Sequence, residues 1–231
     1  ILILTGCSNE IGIKEEPHPI NEVPVPILIM PKGIDATTKA LVDVFTNDNI
    51  NEIGIYGTSS TKIIYNGISP GQIGSNQELI FTNPSLVYPT DGNSITLAGY
   101  FPRQSKGTAY TINNNSLQFT LTGEEDLMHA APINAGNKKT PEAVNLNFTH
   151  KLTSVKFNLV NGTENMLPDG NISITTDAPN SGSLDLSNGI VTIDQTSTTT
   201  FTLSTDINAN TMASKETISV NGNLLLFPEL A

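Results

Sequence analysis

The sequence predicts an all-β protein built from antiparallel sandwiches, and three observations carry that expectation. Asn, Thr, Ser, Gly and Ile are abundant, while the residues that fill helices are comparatively scarce. Beyond about residue 50 the chain alternates apolar and polar side chains with period two, the mark of half-buried strands. Turn residues divide these runs at roughly the 8 to 20 residue spacing of a sandwich. A chain of 231 residues accommodates one large β domain or two of about 100 residues each.

Taken in order, residues 1–7, "ILILTGC", form an apolar run closed by the small residues Thr5 and Gly6. This reads as the end of an export signal, with Cys7 as the lipidated residue of a bacterial lipobox; the plainer alternative is a hydrophobic strand with a free thiol. Cys7 is the single cysteine, so no intrachain disulfide can form and packing alone must hold the fold. Residues 8–22 are polar and carry Lys14, Glu15, Glu16, Pro17 and Pro19, as expected of a solvated tether. In "VPVPILIMPKG" prolines remove ladder donors, so the segment is a stiff linker or an edge strand and never a central one, and the alternation of Val23, Val25, Ile27 and Ile29 favours the edge strand.

Thr37 to Phe45 has a weak helical spacing. Strands are then expected at "EIGIYG", "TKIIYNG", "SITLAGYF" with Ile95, Leu97, Gly99 and Phe101 on one face, and "SLQFTLTG" with Leu117, Phe119 and Leu121. Ala130 to Glu142 shows no periodicity and reads as an interdomain connection, which places an N-terminal domain over 23–138 and a C-terminal one over 139–231. The cleanest alternation follows: Val144, Leu146, Phe148, His150 and Leu152, then a phase change at Thr153 and Ser154 that suggests a bulge. Further strands are expected at "NISIT", "GIVTID", "TTFTLS" and "TISVNGNLLLFPEL".

The net charge of -11 argues against a nucleic-acid partner or an anionic membrane surface, both of which call for a basic face. The sequence contains no GxSxG, HExxH, CxxC, P-loop or GxGxxG, so neither an enzyme mechanism nor a cofactor is indicated. The stretch most like chemistry is "GEEDLMHA", where a metal site would use Asp126 and His129 with His150 brought in by the fold. Strand geometry sends Asp126 and His129 to opposite faces, so no metal is expected. The acidic run reads instead as a solvated turn from which Leu127 and Met128 enter a core, and His150 as a hydrogen-bonded core histidine.

The order of these features resembles the fimbrillin-like proteins of Bacteroidota, which include stalk, accessory and anchor subunits of type V pili. The resemblance rests on Cys7, "NEIGIYGTS", "ITLAGYFPRQ", "EEDLMHA" and "VNLNFTHKLTSVKFNL". Within it, Asp126, Leu127, Met128 and Ala130 precede a strand bearing Phe148, His150, Leu152 and Val155, and His129 stands where the family more often has tyrosine. It implies two tandem transthyretin-like antiparallel β-sandwich domains, exported and lipid-anchored at the outer membrane or built into a fimbrium. Its implied partners are other pilus subunits, joined by β-strand addition, and a host or bacterial surface ligand. Stalk subunits of the family are cut after a basic residue, usually arginine. Here the one arginine is Arg103, so Lys32 or Lys39 would serve. The family usually continues past "LLLFPELA", so the second domain is expected to be incomplete at its C-terminus. Another reading of the sequence is a surface glycan-binding lipoprotein; a carbohydrate-active enzyme ranks last.

Overall fold

A computed structural model describes residues 23–35, 44–60, 62–105, 108–165, 170–207, 213–220, 222 and 224–228. Cys7, the tether and the Thr37 to Phe45 helix expectation fall wholly or mainly outside them. The main strands are β1 Ile29–Asp35, β2 Gly54–Ser59, β3 Lys62–Ile68, β4 Thr96–Phe101, β5 Thr111–Asn113, β6 Ser116–Thr120, β7 Met128–Asn134 and β8 Val144–His150. They continue with β9 Thr153–Val155, β10 Asn158–Val160, β11 Gly170–Pro179, β12 Ser181–Asp185, β13 Val191–Ile193, β14 Thr198–Ile207, β15 Thr217–Ser219 and β16 Leu224–Leu226. One 3-10 turn, Ile50–Glu52, is the helical element among the described residues.

Six strands form one sheet in the order β1-β8-β7-β4-β2-β3, and four form a second in the order β13-β12-β6-β5. The six-stranded sheet is the middle layer, because alternate side chains feed two different cores. Ile55, Leu97, Phe101, Met128, Val144, Leu146 and Phe148 enter one core with Ile27, Ile29, Ile50, Ile53 and Ile95. Their chain neighbours Tyr56, Tyr100 and Leu127 enter the other, against Leu117, Phe119, Leu184 and Leu186 of the four-stranded sheet and Leu225 and Phe227. Strands here were expected to be half-buried; β4 is instead buried on both faces, as the exposures of Leu97, Ala98, Tyr100 and Phe101 show. Small residues make that possible. Gly54 lies opposite Tyr100 in register, and a Cβ there would sit 2.1 Å from the tyrosine ring.

The all-β expectation holds, while three local expectations are corrected. Ala130 to Glu142 is not a connection: it is β7 followed by the hairpin Gly136–Asn137/Thr140–Pro141, because β7 pairs with both β4 and β8. The expected bulge at Thr153 and Ser154 is a change of sheet: β8 ends at His150, Leu152 turns into the second core, and β9 pairs with β16. Finally, β1 is parallel to β8, with Ile29 beside Val144 and Pro31 beside Leu146, whereas an antiparallel arrangement was expected. Strand pairing also crosses the 138/139 boundary expected from the sequence. β8, beyond it, belongs to the six-stranded sheet, and β6, before it, pairs with β12 from Ser116–Asp185 to Thr120–Ser181.

A third, smaller core lies between two ribbons. The long two-stranded ribbon β11–β14, whose strands are separated in the chain by β12 and β13, covers the β9–β16 and β10–β15 pairs, with Ala178, Phe201 and Leu224 buried among Val155, Phe157, Leu203 and Leu226.

A buried acid–histidine pair and a candidate assembly edge

The acidic run sits where the chain passes from β6 to β7, and it is not the solvated turn expected. Gly123, at φ 95°, packs so closely on Phe201 that a Cβ would lie 2.6 Å from the ring, and the following residues descend between sheets. Of the three carboxylates, only Glu124 is exposed. Glu125 accepts hydrogen bonds from Ser105 Oγ, from Thr122 N at 2.6 Å and from Thr122 Oγ1 at 2.7 Å. Burial opposes ionisation of this carboxyl, but these donors outweigh it and hold its pKa below the ordinary carboxylate value. Leu127 and Met128 do fill cores, though one each on opposite faces of the middle sheet.

Asp126 meets His150, not His129: Oδ1 lies 2.8 Å from Nδ1, with side chains 1% and 3% exposed. His129, one strand position past Met128, points to the opposite face, where its Nε2 donates to the Leu186 carbonyl at 3.1 Å. Because a carbonyl only accepts, that ring carries its proton on Nε2. Among the described residues no three His, Cys, Asp or Glu side chains gather in a way that could hold a metal ion. Each histidine fastens two segments through its hydrogen bond, His150 within the six-stranded sheet and His129 between the sheets.

Burial, with Lys151 nearby as a lesser cause, pushes the His129 pKa below its ordinary 6.5, while the Leu186 bond partly offsets them. The unfolded chain therefore takes up the proton first. Stability is unaffected by this group well above pH 6.5, falls as the pH drops below that value, and levels off once the folded state is also protonated. His129→Gln keeps an N–H donor for Leu186 and does not titrate. Thermal melts at pH 7.5 and 5.5 are expected to show a smaller acid-induced loss for that variant than for the parent, and equal losses would refute the assignment.

The other feature of note is the margin of the middle sheet. β1 is its terminal strand, held on one side by β8, with a shift in register between Pro31 and Ile34 that places Lys32 and Gly33 at an irregularity of the ladder. Just before β1, Val25 and Ile27 hydrogen-bond across to Tyr88 and Leu86. Ile27 and Ile29 are almost wholly buried, so this edge strand is also a wall of the first core. A groove of about 560 Å³ runs alongside, between Pro24, Pro26 and Leu28 and the facing Leu79, Phe81 and Val87. Of the residues expected to be processed, Lys32 lies in β1, while Cys7 and Lys39 lie outside the described residues.

A fimbrillin-like family model matches residues 38–229 of the chain. Two crystal structures share its fold. A candidate cell adhesion protein from Bacteroides uniformis aligns with a TM-score of 0.53 at 18% identity, covering 87% of this chain and 74% of its own. A second, from Bacteroides ovatus, aligns with a TM-score of 0.52 at 14% identity, covering 90% and 79% respectively. No curated protein matches the sequence.

Proposed function

The chain belongs to the fimbrillin-like family, and on that premise we propose that it is a non-enzymatic anchor, accessory or adhesin subunit of a cell-surface fimbria. It joins its neighbours by β-strand addition at the position of β1. The observation that carries this reading is the double character of the first strand. It is a sheet edge, released by breaking its ladder with β8 and the Val25 and Ile27 bonds to Tyr88 and Leu86, yet Ile29 and the preceding Ile27 are core residues, so whatever replaces the segment must supply alternate apolar side chains. The groove lined by Pro26, Leu28 and Val87 gives an incoming strand a place to start beside the resident one. Cleavage at Lys32, in the irregular part of the ladder, or at Lys39, would free the strand; Cys7 would carry the lipid of a membrane-anchored form.

The reading is tested by locking the strand in place. Met30 and Asn145 are half-buried register partners, and parallel neighbours lie about 4.8 Å apart, within disulfide reach. In a Cys7→Ser background, the Met30→Cys, Asn145→Cys protein is treated with a lysine-specific protease at high concentration. It is expected to form heat-stable oligomers only after reduction. Equal oligomerisation of the oxidised and reduced forms would refute release of β1.

A further inference from the structure

The β5–β6 ladder ends at Gln118 opposite Thr111, while β6 runs on to Thr120. β5 peels away there because the preceding Thr108–Ala109 segment pairs with Gln104–Ser105 instead. The gap this opens is a groove of about 640 Å³, within the range of about 300–1,000 Å³ typical of small-molecule sites.

Its chemistry is uniform. Thr108, Thr111, Gln118, Thr120, Ser181 and Asp194 line it, with Tyr110 and Phe119 as its apolar part, their rings packed edge to face at 6.3 Å. Hydroxyl and carboxamide groups both donate and accept, which suits a ligand whose own groups do the same. No lysine, arginine or histidine is among the described lining residues, and the Asp194 carboxylate stands on the rim, so an anionic ligand is disfavoured. A peptide strand is a poor fit too. Leu121 N donates to Asn180 O on the β12 side, so Thr120 directs its backbone groups toward the groove, and that one residue is all the edge β6 offers beyond its last pair with β5.

The groove is also fixed in shape. Glu125 accepts from Ser105 on one wall and from Thr122 on the other, tying the Gln104–Ser105 and Thr108–Ala109 pair to the exit of β6. This second use of the acidic run is the kind of support that holds a binding site rigid.

We propose that this groove is a binding site for a neutral oligosaccharide, giving the protein a glycan-recognition function separate from assembly. It is a site for binding and not for hydrolysis, since cleavage of a glycosidic bond calls for two carboxylates and the described lining supplies one. The proposal does not depend on strand addition, because β1 contributes nothing to the lining and a locked β1 leaves the groove intact.

The test is saturation-transfer NMR of the intact chain against neutral oligosaccharides of gluco, manno, galacto and xylo configuration, with a heparin oligosaccharide as the anionic comparison. At least one neutral oligosaccharide is expected to bind and heparin is not. Gln118 and Thr111 are exposed, so Gln118→Ala and Thr111→Arg should fold normally, and each is expected to weaken binding by about tenfold or more. The proposal fails if no neutral oligosaccharide binds at about 10 mM, if heparin binds instead, or if both variants with unchanged melting temperatures bind as the parent does.

Discussion

Asp126→Ala is expected to destabilise the protein by about 3–5 kcal/mol, the usual cost of removing one partner from a buried hydrogen-bonded acid–base pair. The carboxylate is 1% exposed and accepts a hydrogen bond from His150 Nδ1 at 2.8 Å, so its removal strands a buried imidazole N–H. Denaturant unfolding of the single variants and of Asp126→Ala with His150→Phe separates the pair from the rest. The double variant is expected to be more stable than the sum of the two single losses predicts, since it leaves no orphaned imidazole in the core. Strict additivity would mean that Asp126 acts through its other contacts. The effect is expected to be far larger than that of Glu124→Ala, although the two residues are separated by one position, because Glu124 is exposed.

The second large effect is expected at Ile29. Truncation to alanine removes a fully buried side chain from the first core, at a cost of about 2–5 kcal/mol. Its location makes the consequence local as well as global. β1 has one ladder partner, so hydrogen exchange of its amides is expected to accelerate more than that of β4 or β7, which are held on both sides. If the assembly reading is right, the same variant should release its first strand and form oligomers at a lower protease dose than the parent. Uniform acceleration across the whole sheet would instead make β1 part of one cooperative unit with its neighbours.

Much of the fold is legible because it is local. Period-two alternation over "SLQFTLTG" and Val144 to Phe148 marks strands and their inward faces without any knowledge of partners, and the proline-bearing alternation ending at Ile29 correctly marks an edge. The family resemblance carried in the order of its segments is likewise a property of the chain. What alternation cannot reveal is that the polar-looking face is buried as well. In β4 that burial depends on Gly99 receiving Phe148 and on Gly54 receiving Tyr100, contacts between strands far apart in sequence.

For the acidic stretch the limit is sharper. The sequence separates Asp126 from His129 by strand geometry and makes His150 a core histidine, and both readings hold. It does not reveal that Asp126 and His150 are partners, nor that Glu125 braces a groove wall, because each depends on register across 20 or more residues. Register follows from how whole faces are buried.

By itself, then, the sequence determined most of the strand-forming segments, though not β7, together with the sides they bury, the edge nature of the first strand and the family to which the chain belongs. These follow from side-chain period, proline chemistry and motif order, all of which act over short stretches of chain. Only the tertiary structure decided that the first strand lies parallel to β8, that one sheet serves two cores, and that the chain's most reactive-looking residues are fasteners. Such outcomes depend on pairings between distant segments, and their physical cause is the burial of both faces of a middle layer.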